Sequence, residues 1–305
     1  MGTARPDMQE DTSVTIEYAD NGDIRLAYES FGSADDPVIL LVMGLGTQML
    51  AWDEAFCALL VDGGYRVVRM DNRDIGLSTH LDAAGLPDMT PMQSGGLLTD
   101  AKYLLSDMAQ DAVAVVDTLG VDAVHVVGGS MGGMIAQEFA LNHPDRTRSL
   151  TSIFSTPAPR IGSPTREAMA ALMLPPARSE DEAADRAVAM YRVVGSPGYP
   201  LDEQSLRERS RQAYRRGDDP AGTARQLAAI HASGDRTERL AALTVPTLVL
   251  HGQDDPLVRL SGGEATAAAV PGATLVTYPG MGHDLPRELW PAVTAEILAL
   301  ADSTR

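Results

Sequence analysis

The chain is poor in three things, and each shortage removes a class of function. Cysteine is the scarcest: Cys57 stands alone among 305 residues. No disulfide can form within the chain, which suits a reducing compartment. Its setting, WDEAFCALL, has the pattern of an amphipathic helix, so Cys57 reads as a small core residue and not as a nucleophile. Basic residues are outnumbered, 24 Lys and Arg against 42 Asp and Glu, for a formal net charge of −18. Such a chain repels nucleic acid and anionic membrane surfaces, and the surplus acid reads as solubility rather than steering. Long apolar runs are missing too. VILLVM (38–43) is among the longest, and it has the length of a strand, far short of a membrane span. No N-terminal segment joins a basic region to an apolar stretch and a cleavage site. The expectation is a soluble cytoplasmic protein, monomer or homodimer, with no nucleic-acid or membrane partner. Internal repeats and low-complexity tracts are absent. The six histidines form no cluster at metal-ligand spacing, so no metal is expected.

What is present is ordinary globular material: 44% apolar and 22% charged residues. That suffices for one large domain, or a domain with an insertion. Only residues 1–12 read as a loose polar start. Two strands at 14–18 and 24–30, joined by the turn Asp20-Asn21-Gly22-Asp23, form an antiparallel hairpin. Strands at 38–42, 66–70, 123–127 and 149–154 then alternate with helices at 52–62, 106–119 and 131–142. Ser106 is the expected N-cap of the second helix, and Gly120 its C′ residue. Strands such as VILLV and AVHVV carry few or no polar residues, as in a parallel sheet buried on both faces. Strand–helix alternation implies right-handed crossovers and an open, doubly wound α/β sheet.

The rhythm breaks after Phe154. About ninety residues follow without a convincing strand, several times what a crossover helix needs. They read as helices at 164–174, 179–194, 202–214 and 220–233. The expected organisation is a core of residues 1–154 and 236–305, with 155–235 inserted as a helical lid over the carboxyl edge of the sheet. Alternation resumes with strands at 247–250 and 274–278 and helices at 261–270 and 286–301.

The strongest motif is Gly128-Gly129-Ser130-Met131-Gly132, a G-x-S-x-G sequence. It lies where the chemistry needs it, between the strand VHVV and the helix MGGMIAQEFAL. The tight turn strains Ser130 and lifts its hydroxyl clear of the backbone, while small neighbours let strand and helix approach. The helix N-terminus places positive potential where an oxyanion would form. No Lys follows as in a phosphate-binding loop, which excludes that reading. A serine hydroxyl needs a base held by a third group. His283 qualifies, on the glycine-rich loop Pro279-Gly280-Met281-Gly282 after a strand. Of the other histidines, His143 reads as a helix C-terminal residue with a cap or dipole role. His125 and His251 read as core residues or neighbours of the site, and His80 and His231 as candidates to touch substrate. The acid should follow the strand VLHG, where Asp254 and Asp255 are adjacent. Pro256 holds the residue before it in extended geometry, which favours Asp255, with Asp254 as the alternative.

The residues LVMGLG, RMDNRDIGLST, GGSMGGMIAQ, VPTLVLHGQDDPLV and PGMGH together resemble the α/β-hydrolases, along nearly the whole chain and in the chain order Ser, Asp, His. More narrowly they resemble the aclacinomycin methylesterase type. The resemblance implies a mostly parallel eight-stranded sheet, and Asp255 as the acid beside Ser130 and His283. It also implies an oxyanion hole made by the backbone N–H groups of Leu45 and Met131. Many α/β-hydrolases carry His-Gly where this chain has Met43-Gly44, a departure shared with the methylesterase group. The stretch 71–76 reads as a charged turn bracing the site. The expected activity is hydrolysis of a small, apolar carboxylic ester through an acyl-enzyme, with no cofactor. Lactonase, thioesterase, C–C hydrolase and perhydrolase chemistries share this triad, and a non-catalytic ligand-binding relative is the alternative from another class. Dehalogenase and epoxide hydrolase chemistry is disfavoured, because the elbow residue is Ser and not Asp. In the lid, Met169, Met173, Met190 and Tyr191 are pocket candidates, with core packing expected for most of them.

Overall fold

The computed structural model describes residues 15–304. The polar start at 1–12 and Val14, where the first strand was expected to begin, lie outside them. Eight strands build one sheet: β1 (Glu17–Asn21), β2 (Ile24–Phe31), β3 (Val38–Val42), β4 (Arg66–Met70), β5 (Val124–Gly129), β6 (Thr147–Ile153), β7 (Thr247–Gly252) and β8 (Thr274–Tyr278). Their order is β1-β2-β4-β3-β5-β6-β7-β8. Strand β2 runs antiparallel to both its neighbours, and every other pairing is parallel. The hairpin closes with Asn21 opposite Ile24, and Gly22 takes the left-handed backbone (φ 61°) that so short a turn requires.

Ten helices surround this sheet in the described residues: α1 (Glu54–Asp62), α2 (Leu105–Thr118), α3 (Met131–Asn142), α4 (Arg166–Leu172), α5 (Glu180–Val194), α6 (Glu203–Gly217), α7 (Pro220–Ala232), α8 (Thr237–Leu240), α9 (Ser261–Ala269) and α10 (Trp290–Asp302). None is long and apolar enough to cross a membrane. The apolar run of β3 divides by alternation. Val38, Leu40 and Val42 pack with residues of α2 and α3, while Ile39 and Leu41 pack with Phe56 and Leu60 of α1 and Val293 and Ile297 of α10. A strand buried on both faces needs no polar positions, which is why its sequence shows none.

One expected cap is corrected. Helix α2 starts at Leu105, and Ser106 does not cap it. The Leu104 N–H donates to the Asp107 carboxylate at 2.7 Å, and the Leu105 N–H to Ser233 Oγ at 2.8 Å. Those acceptors satisfy the orphan donors, so Ser106 enters the first turn. Gly120 does follow the helix with φ 70°. No strand interrupts residues 154–246, where α4 to α8 lie. The first four of these helices are each capped by a side chain accepting a first-turn N–H: Thr165, Ser179, Asp202 and Asp219.

Helix α7 is held to the sheet side by a buried ionic knot. Arg225, 1% exposed, donates through Nε and Nη2 to the two carboxylate oxygens of Asp74 at 2.8 and 2.7 Å. Tyr103 Oη adds a third bond to Asp74, and Asp219 a second acid to Arg225. Breaking such a pair strands a buried charge, which makes it a strong positional constraint. His80 joins the edge of the knot, with Nδ1 2.8 Å from the Asp219 carboxylate and Nε2 3.0 Å from the Gly76 carbonyl. Burial works against a charge on His80, but those two acceptors outweigh it and raise its pKa. A raised pKa means stabilisation that is full below the ordinary histidine range and fades as pH rises through the folded value. His80→Gln should therefore cost about 1 kcal/mol at pH 6 and less at pH 9, as read by urea unfolding at the two pH values.

Candidate active site

Close packing creates the site. A Cβ on Gly128 would stand 2.0 Å from the Gly132 carbonyl oxygen, and one on Gly132 would stand 2.1 Å from that of Val42. Strand β5, helix α3 and strand β3 therefore touch backbone to backbone. Glycines in the first turn of α3 weaken its intrinsic helicity, and complete burial of that turn offsets the loss. Ser130, between strand and helix, takes φ 56° and ψ −121°, a conformation L-residues rarely adopt. Its N–H donates to Ile153 O at 2.9 Å, and its carbonyl accepts from Gly133 N–H and Ser155 Oγ. The backbone is pinned on both sides, and Ser130 Oγ does not cap the helix. It meets His283 Nε2 at 2.9 Å.

His283 stands on the loop after β8, which neighbours hold from three directions. Its N–H donates to Val194 O at 2.7 Å, the Gly282 N–H donates to Ser196 Oγ at 2.9 Å, and the Gly280 N–H donates to Asp254 Oδ2 at 2.8 Å. On the other side of the ring, Nδ1 lies 2.7 Å from Asp255 Oδ2. Asp255 is buried, and its Oδ1 accepts the N–H groups of Leu257 and Val258 at 2.8 and 2.9 Å. One oxygen orients the carboxylate and leaves the other for the imidazole. Of the two adjacent acids, Asp255 is the one against His283, and Asp254 braces the loop below. The Phe154 ring lies 4.9 Å from the His283 ring and limits its tilt.

The remaining expected residues fall as follows. Leu45 lies on the loop after β3, and Met131 is the first residue of α3. Neither N–H has a hydrogen-bond partner among the described residues, so both remain available to a ligand oxygen. The stretch 71–76 does brace this loop: Asn72 Nδ2 donates to Met43 O at 2.8 Å, and Asp71 Oδ1 accepts from Met49 N–H at 2.7 Å. His231 lines the cavity described below. Its Nδ1 accepts the Leu98 N–H at 3.1 Å, which leaves Nε2 to carry the proton; burial lowers its pKa. His80 belongs to the ionic knot and not to the cavity. His251 is buried, with Nε2 2.7 Å from Val258 O and a pKa that burial lowers. His143 occupies the C-cap position of α3, where burial and Arg146 lower its pKa. Burial pushes the Cys57 thiol up to about 12, as suits a core residue. No group of three or more His, Cys, Asp or Glu among the described residues is placed to hold a metal.

Ser130 and His283 open into a cavity of about 410 Å³. Its wall is mainly apolar, with Trp52, Phe154 and Leu45 from the sheet side and Met169, Met190 and Tyr191 from α4 and α5. Three of the four candidate residues of this segment therefore line the cavity, Met190 while also packing against the small core of Ala168, Ala171 and Val194, and Met173, at the end of α4, is 50% exposed. Asp284, beside His283, also reaches the cavity. Burial raises its carboxyl pKa in spite of the Ser196 hydroxyl and the neighbouring His283.

A model of the alpha/beta hydrolase fold family matches residues 37–286. The chain belongs to that family. Rhodomycin D methylesterase of Streptomyces peucetius is 28% identical over 303 residues, spanning 92% of this chain and 95% of its own length. The rhodomycin D methylesterase of Streptomyces sp. (strain C5) is 29% identical over 301 residues, spanning 91% and 95%. Among solved structures, a hydrolase from Pseudomonas aeruginosa PA01 is 25% identical with a TM-score of 0.69, covering 93% of this chain and 97% of that one. With these relatives and this fold, the chain is a hydrolase.

One residue near the site had no signal in the sequence. Gln226 of α7, fully buried, accepts the Gly46 N–H through Oε1 at 2.9 Å and donates through Nε2 to Arg73 O at 2.8 Å. It ties the loop carrying Leu45 to α7. Only a contact 180 residues apart reveals it. Gln226→Leu leaves the Gly46 N–H without its acceptor. Hydrolysis of a generic ester should then show kcat lowered about tenfold with KM changed less than about twofold, the pattern of lost transition-state support. Loss of thermal stability with kcat intact would reduce Gln226 to a packing role.

Proposed function

We propose that the protein is a carboxylesterase acting on a small, largely apolar ester through an acyl-enzyme at Ser130. The observation that carries this reading is the unbroken chain of short contacts from Asp255 through His283 to Ser130, ending at an apolar cavity. His283 Nε2 accepts the proton of Ser130 as Oγ attacks the ester carbonyl carbon. Asp255 keeps the proton of His283 on Nδ1 and stabilises the imidazolium. The tetrahedral oxyanion is bound by the free N–H groups of Leu45 and Met131. Collapse expels the alcohol, which takes the proton from His283. Water, deprotonated by the same imidazole, then cleaves the acyl-enzyme and restores the serine.

Helices α4 to α7 act in this reading as a lid, residues 155–235, closing over the carboxyl ends of the strands. Contributions of Met169, Met190 and Tyr191 to the cavity wall support it. Methionine side chains adapt to varied apolar shapes. The names of the two Streptomyces relatives favour a methyl ester, with methanol as the leaving alcohol.

Hydrolysis of p-nitrophenyl acetate, butyrate and octanoate tests this. The unsubstituted enzyme should release p-nitrophenol, and Ser130→Ala should lower kcat/KM at least about 10³-fold. Each added methylene buried in the cavity is worth about 0.8 kcal/mol, so butyrate should exceed acetate about tenfold. Folded enzyme with no Ser130-dependent release would sink the esterase reading, and tight binding of esters without turnover would favour a ligand-binding protein.

A further inference from the structure

Helices α5 and α6 carry seven arginines. Five have carboxylate partners: Arg192 with Glu203, Arg207 with Asp185, Arg211 with Asp181, Arg215 with Glu180, and Arg216 with Asp71. Four of those pairs lie along the two helices like rungs. Arg186 and Arg209 have neither an ion pair nor a hydrogen bond among the described residues, although the chain holds 42 acidic side chains. Both line a second cavity of about 150 Å³, between the loop after β3 and these two helices. It adjoins the main cavity, since Arg209, Tyr191, Met190, Leu206 and Thr47 line both. Arg186 Nε is buried and without an acceptor. The acid in this side chamber, Asp218, makes no ion-pair contact with either arginine among the described residues; burial raises its carboxyl pKa, and the charge of Arg186 nearby only partly opposes that.

Arg186 and Arg209 are both partly exposed, and of the two only Arg186 contributes a buried donor, Nε, without an acceptor; leaving such a donor unmet is costly, and a ligand oxygen entering the chamber would meet it. Arginine's planar fork suits a carboxylate in particular. Resting on the esterase reading of Ser130, we propose that the side chamber is an anion subsite, in which Arg186 and Arg209 bind a carboxylate at the far end of the substrate. The preferred substrate class is then an ester bearing a free carboxylate, whose apolar middle spans the main cavity. The scissile group lies at Ser130 and the anion lies between α5, α6 and the loop after β3. The negative charge of the whole chain makes this a local recognition device, effective only after entry.

The test compares mono-p-nitrophenyl esters of succinic, adipic and suberic acid with the same molecules capped as methyl esters, reading p-nitrophenol release. For at least one chain length, kcat/KM should favour the free carboxylate over its capped twin by about tenfold or more. Arg186→Gln and Arg209→Gln should each shrink that ratio about tenfold, and Arg209→Lys should keep part of it. Calorimetry of adipate with Ser130→Ala reads the chamber without turnover, and binding should weaken in the Arg209→Gln background. A ratio near one at every length in the unsubstituted enzyme, or a preference that survives both glutamine variants, overturns the subsite. If capped esters turn over with no preference, the subsite falls and the esterase reading stands. If no ester turns over while adipate binds in an arginine-dependent way, the subsite stands and the esterase reading falls.

Discussion

The backbone-to-backbone contact of β3, β5 and α3 is the constraint on which the rest of the site depends. With Gly128 and Gly132 there is no side chain to separate these elements. The turn between β5 and α3 is thereby compressed until Ser130 can only sit at positive φ. Strain of this kind persists where the surroundings over-determine it. Here the pins are the hydrogen bonds of Ser130 N–H to Ile153 and of Ser155 Oγ to the Ser130 carbonyl. The hydroxyl reaches His283 because the backbone has nowhere else to go. The same approach brings the loop after β3 alongside, with the Leu45 and Met131 N–H groups left open.

A second constraint acts at longer range. The helices between β6 and β7 are not simply laid on the sheet; polar contacts stitch them to it at separate points. Arg225 and Gln226 of α7 reach the 71–76 stretch and the loop after β3. The end of α5 holds the His283 loop through Val194 and Ser196. These contacts tie cavity wall and reacting groups into one assembly. A change in one of these helices would be felt as a shift in serine or histidine geometry, not only as a change in cavity shape.

Much of this was legible because its signals are local. The run VILLV announces a strand buried on both sides, and G-x-S-x-G between strand and helix announces the turn at Ser130. Pro256 bears on which of two aspartates has a fixed direction, and in the structure Asp255 is the one facing His283. What escaped was set by distance in the chain. Ser106 looked like a cap, but the orphan N–H groups of α2 found Asp107 and Ser233, the latter 128 residues away. Met169 and Met173 share the four-residue spacing of a core face, yet Met169 lines the cavity and Met173 is exposed; nothing in helical periodicity tells a cavity wall from a core. Gln226 and the two unpaired arginines carry no motif at all. Their meaning lies in which partners they lack or find once the chain is folded.

The lone thiol has a consequence of its own. Cys57 sits in α1 beneath α10, fully buried and held in its protonated form. Only the thiolate reacts readily with oxidants and disulfides. While the helices stay in place, such agents have nothing to act on, and no second cysteine exists to complete a bridge. Chemical damage at this position therefore requires prior opening of the α1–α10 layer. The lifetime of this thiol in an oxidising medium is governed by the frequency of that opening and not by its intrinsic reactivity.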